Sequence, residues 1–155
     1  MTLSRIWAGR SSLIGVEMSL YLCVFDASGE EVEGIDVGSY ADFNFFRDAV
    51  AAAVENGEFG SVCPILNTHS DCDGEWTVVE AAGLLLELDR IEREFSRYSA
   101  VDFNSDWKRE ISKNRGRQPE TLLDCFFDID GEPLVGRLRE LASASISVGC
   151  PILFQ

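Results

Sequence analysis

Apolar and polar positions alternate along this chain with two periods, and each change of period marks an element. Leu20-Tyr-Leu-Cys-Val-Phe25 is an unbroken apolar run. The turn residues Ala27-Ser-Gly-Glu-Glu31 follow it, so a strand, a tight turn and a second strand near Val32–Val37 are expected. Ser39 with Asp42 three residues on approximates a capping box, with Asp in place of the usual Glu. Phe43, Phe46, Val50 and Ala53 then recur at helical spacing until Asn56-Gly57, which predicts a helix over 40–56. Cys63-Pro-Ile-Leu66 reads as a brief extended segment.

Thr77 with Glu80 forms a second capping box, and Ala81, Leu84, Leu88, Ile91, Phe95 and Tyr98 make an apolar stripe, predicting a helix over 77–98. Its other face carries Glu80, Glu87, Arg90, Glu94 and Arg97 and reads as solvated, with Asp89 and Arg93 spaced for an i,i+4 pair. A short helix is expected to end near Gly116. Leu122 to Ile129 reads as a strand, turned by Asp130-Gly131. Pro133 opens a third main helix over 133–147, ended by Gly149, and Cys150-Pro-Ile-Leu-Phe154 reads as a last strand.

Strands early, in the middle and at the end, with helices between them, predict an α+β fold. One compact domain over 18–155 is expected, with a small, mostly antiparallel or mixed sheet packed with three main helices. Leu20–Phe25, Leu122–Phe127 and Ile152–Phe154 are expected to share the sheet. Residues 1–17 carry no clear element, and Met18 stands directly before the first strand, so the segment reads as an N-terminal extension from an upstream start.

Composition narrows the function classes. With 46% hydrophobic and 26% charged residues the chain has the content of a folded domain, despite a net charge of −14. The acid is concentrated in residues 20–106, where 19 carboxylates face only Arg47, Arg90, Arg93 and Arg97. A field of that sign repels nucleic acid and anionic lipid and attracts basic partners. One basic segment interrupts it, with Lys108, Arg109, Lys113, Arg115 and Arg117, and is read as neutralising neighbouring carboxylates. Five cysteines, an odd number lying partly in apolar runs, fit reduced thiols in the cytoplasm better than a disulfide framework. No stretch approaches the ~18 apolar residues of a membrane span, and Ser11–Val16 is too short for a signal peptide core.

Polar chemistry gathers in Asn67-Thr-His-Ser-Asp-Cys-Asp-Gly-Glu-Trp76, which holds the only histidine, three acids, a thiol and a tryptophan in one loop. Asp71-x-Asp73-Gly-Glu75 resembles part of a calcium loop, but the twelfth position from Asp71 is Ala82 rather than Glu. Cys63, His69 and Cys72 supply three potential zinc ligands without paired Cys-x-x-Cys spacing or a fourth ligand. Asp128-Ile-Asp130-Gly131 resembles the nucleophile motif of haloacid-dehalogenase-type phosphatases. Too little chain follows it to supply that fold's later strands, and a tight turn is the favoured reading. Ser70 is only the sequence neighbour of His69, and no Gly-rich phosphate loop is present.

The run Leu20 to Asp26, Val37-Gly-Ser-Tyr-Ala-Asp-Phe43, Asn67 to Trp76, Phe103-Asn-Ser-Asp-Trp107, Asp128-x-Asp-Gly-Glu-Pro-Leu134 and Pro151-Ile-Leu-Phe-Gln155 together resemble the immunity protein 70 family of bacterial polymorphic toxin systems. The resemblance implies a single-domain α+β protein, without enzyme activity or cofactor, that binds and neutralises a toxin inside the producing cell. An acidic inhibitor would suit a nuclease, whose substrate groove is cationic. The residues themselves nominate Asp71, Asp73, Glu75 and Trp76, with Asp102, Asp106 and Trp107, as the toxin-binding surface, because tryptophans beside acids match the anatomy of interface hot spots. Two other readings stay open at this point. One is a small metal-dependent hydrolase using Asp128 and Asp130 or Asp71 and Asp73; the other is a regulatory binding domain with no toxin.

Overall fold

The computed structural model describes residues 19–70 and 72–155. The expectations for residues 1–17 and for Asp71 therefore lie outside the described residues. Strands β1 (Ser19–Phe25) and β2 (Glu31–Ser39) form the expected hairpin. Its turn is fixed by Asp26, whose Oδ1 accepts from the Ser28 and Glu30 amides, while Gly29 takes a φ of 89°. Helix α1 (Tyr40–Ala53) starts at the Ser39/Asp42 capping box, both halves of which are formed. It stops three residues earlier than the pattern suggested, because Asn56 and Gly57 turn left-handed and the Gly57 amide reaches back to the Ala51 carbonyl.

Two extended expectations are corrected. Cys63-Pro-Ile-Leu66 is helical as α2 (Pro64–Asn67), since Pro64 sits where the first turn needs no amide donor. Leu122–Phe127 is not in the sheet: Leu122–Cys125 is one turn of 3-10 helix, capped by Thr121 and Asp124, and Phe127 makes only an isolated bridge to Pro133. An apolar run cannot by itself distinguish a buried turn from a buried strand. Strand β3 (Glu75–Trp76), helices α3 (Val78–Phe95), α4 (Asp106–Asn114) and α5 (Leu134–Val148), and strand β4 (Ile152–Phe154) complete the fold.

The sheet is antiparallel throughout, in the order β2-β1-β4-β3. Period-two alternation turns Leu20, Leu22 and Val24 of β1 and Ile35 and Val37 of β2 into one buried cluster with Trp76, Ile152 and Phe154. Helix α3 inserts Ala81, Leu84, Leu88, Ile91 and Phe95, all fully buried, and α5 packs along it with Leu134, Leu138, Leu141 and Ala142. Phe46, Phe95 and Phe126 stack edge-on and tilted at 5.2–6.0 Å between centroids and join α1, α3 and the 3-10 turn. Among the described residues, five helices against a four-stranded antiparallel sheet make the expected α+β domain.

The solvated face expected for the second main helix needs one correction. Glu87 is 8% exposed, because its carboxylate accepts the Ile65 and Leu66 amides at 3.0 Å and so anchors the start of α2. Asp89 pairs with Arg139 of α5 rather than with Arg93.

Candidate functional site

The loop from Asn67 to Trp76 divides its residues between inside and outside. Its inner half is held by α1. Arg47, buried, donates from Nη2 to the Asn67 and His69 carbonyls at 2.8 Å each. The Asn67 amide in turn donates to Glu55, a buried carboxylate that also accepts the Val62 and Cys63 amides. Burial pushes the Glu55 carboxyl up, but these donors outweigh it and hold the group below the usual carboxylate range.

His69 closes the loop. Its ring stacks on Phe154 at 4.2 Å, lies 5.6 Å from Trp76, and has Nδ1 2.7 Å from the Ser70 carbonyl oxygen and Nε2 2.9 Å from the Glu75 carbonyl oxygen. Gly74, with φ 86°, passes close to that ring and offers its carbonyl to the Phe154 amide, so the loop tip is tied back to β4. The expectation that Trp76 lies on the surface is corrected. The side chain is 0% exposed and its indole N–H donates to the Ile65 carbonyl at 2.9 Å, as a buried indole requires.

Asp73 and Glu75 remain outside, exposed, and among the described residues neither has an ion-pair partner. The zinc candidates do not converge. Cys63 is fully buried with its thiol pushed up to about 12 by burial and by Glu87 and Glu55, whereas Cys72 is exposed. Among the described residues no group of three or more His, Cys, Asp or Glu is arranged to hold a metal ion.

The second loop docks at the other end of α1. Asp42, 4% exposed, accepts the Ser39 amide and the Trp107 indole N–H on Oδ2 and the Asn104 amide group on Oδ1 at 2.9–3.0 Å, and Oδ1 also lies 3.9 Å from the Lys108 ammonium. Lys108 is itself 2% exposed and sits 5.3–5.7 Å from the rings of Phe45, Trp107 and Phe126. Burial holds its ammonium below the usual lysine range. Trp107 is half-buried against Phe127, while Asp102 and Asp106 are exposed, Asp106 bonding Arg109.

Asp42 and Arg47 are five positions apart, about 7.5 Å along α1 and roughly 140° around it. The two acidic loops are thus seated on different sides of one helix. The basic segment neutralises carboxylates as expected: Lys108 meets Asp42, Arg109 meets Asp106 and Arg115 meets Glu132.

Asp128 is committed to structure. The carboxylate is 2% exposed and accepts the Asp130 and Glu132 amides and the Arg137 Nε, so Asp128-x-Asp-Gly is the tight turn its sequence favoured. Arg137 also bonds Glu33, Glu140 and the Gly34 carbonyl, locking α5 to the hairpin. A cavity of about 480 Å³ opens beside this turn, lined by Phe126, Phe127, Leu123, Arg115, Arg117 and Asp124 among others. Asp124 there caps the 3-10 turn through the Glu120 and Thr121 amides.

Sequence reasoning missed one feature of this region. Val79 and Leu86, which follow the loop on α3, are 82% and 72% exposed. Their signal was available, because both fall on the helical face opposite the buried stripe.

The family model described as Immunity protein 70 matches residues 20–154. No curated protein and no solved structure matches the chain.

Proposed function

The chain belongs to the Immunity protein 70 family, and from that membership we propose that it binds a cognate bacterial toxin and neutralises it by covering the toxin's working surface. The observation that carries the reading beyond the family is the pair of exposed, unpaired carboxylates, Asp73 and Glu75, on a loop braced from beneath by His69, Trp76 and Arg47. An anionic loop so braced, on a chain of net charge −14, complements a basic toxin surface, such as the substrate groove of a nuclease. Asp71 belongs to the same loop by sequence. Asp102, Asp106 and the outer edge of Trp107 form a second acidic margin around α1, while Trp76 contributes from within by fixing the loop. The protein acts in the cytoplasm of the toxin-producing cell as a stoichiometric inhibitor and not as an enzyme.

The test is co-expression with the product of the neighbouring toxin gene, followed by titration of the purified pair. Asp73→Lys with Glu75→Lys should leave thermal unfolding nearly unchanged and weaken binding by about 2 kcal/mol or more. Full protection by that double variant would remove this loop from the interface. A toxin that does not bind the wild-type chain would remove the toxin-binding reading itself.

A further inference from the structure

Val79 and Leu86 are the two most exposed large apolar side chains among the described residues. They lie seven positions apart on α3 and so share one face. Ala82 is exposed between them, and the half-buried Ile65 side chain lies against Gly83 on the flank of the same face. The first two turns of α3 therefore present Val79, Ala82 and Leu86 outward, and the exposed charges Asp89 and Arg90 follow one turn after Leu86. Single exposed aliphatics are ordinary on a protein surface, but a contiguous stripe opposite an already complete core stripe is not needed by the fold.

The surroundings select the occupant. Glu75 stands two residues before the N-cap Thr77, and Asp73 two before that, both exposed and unpaired among the described residues. Asp73 and Glu75 thus precede the stripe, and the exposed Arg90 and Arg93 follow it on the same face. An apolar centre with a charged margin has the layout of a protein interface, in which desolvated apolar anchors hold and rim charges orient. A second copy of this chain would bring its own Asp73 and Glu75 and a further net −14 against the same surface. The net charge thus favours a partner of the opposite sign.

We propose that Val79, Ala82 and Leu86 form the apolar centre of the toxin-binding surface, with Asp73 and Glu75 as its charged margin, and that the occupant is a basic toxin face carrying an apolar depression. This assignment rests on the toxin-binding reading. It also separates two contributions that different measurements resolve: the stripe governs how long the complex lasts, and the acids govern how fast it forms.

The test uses the full chain, the purified product of the neighbouring toxin gene, and two double variants. Val79→Ser with Leu86→Ser should keep the wild-type unfolding midpoint and accelerate dissociation at least about tenfold at both low and high salt. Asp73→Lys with Glu75→Lys should instead slow association, an effect that high salt removes. Wild-type dissociation from the serine variant, alongside weakened binding by the lysine variant, overturns the inference and leaves the toxin-binding reading standing. A wild-type dimer in sedimentation that the serine variant dissolves, with toxin binding intact, assigns the stripe to self-association and likewise overturns it. Absence of any binding by the wild-type chain overturns both readings together.

Discussion

Asp42 does more than the helix cap its sequence position announces. The carboxylate also receives the Trp107 indole and the Asn104 amide and faces the buried Lys108 ammonium. Asp42→Ala is therefore expected to cost about 3–5 kcal/mol in denaturant unfolding, because it strands a buried cation. Lys108→Met in the same chain should restore part of that loss. Glu55 supports a pH prediction of definite sign. Its carboxyl is held below the usual range in the folded state, so its contribution is complete above the ordinary carboxylate pKa and is lost as pH falls through the lowered folded value. The stability gap between wild type and Glu55→Gln, measured by urea titration, should be widest near neutrality and shrink on acidification. Neither role was legible in the sequence: spacing identifies a cap, but a partner 65 residues away does not disturb the local pattern.

Helix α3 was the most legible element, since a capping box and an 18-residue stripe both argue for it. Leu88 is 0% exposed at the middle of the stripe, and Leu88→Ala is expected to lower unfolding free energy by about 2–5 kcal/mol. The same periodicity misjudged Glu87, because it weighs a side chain by its type and cannot know that two free amides of α2 lie within its reach. Short segments fared worse. Pro64–Asn67 and Leu122–Cys125 are single turns, too brief for any period to register, and their conformations are set by tertiary contacts. The candidate loop was legible as a cluster of chemistry but not as a division of labour, which depends on Phe154 arriving beneath His69 from the far end of the chain.

At the scale of the molecule, charge and core do separate work. Among the described residues no helix is long and apolar enough to cross a membrane, and the acidic excess is spread over the folded surface. Association with a basic toxin should accordingly slow by about tenfold or more between low salt and about 0.5 M, read in stopped-flow mixing, with a smaller change in dissociation. The strand order carries a consequence of another kind. β1 sits between β2 and β4, and Tyr21 and Gln155 exchange backbone hydrogen bonds. One edge of the central strand thus waits for residues 152–154, which the ribosome makes more than 120 residues later. Until residues 152–154 leave the exit tunnel that edge is open to pairing with a neighbouring nascent chain, and the hairpin cannot complete its sheet.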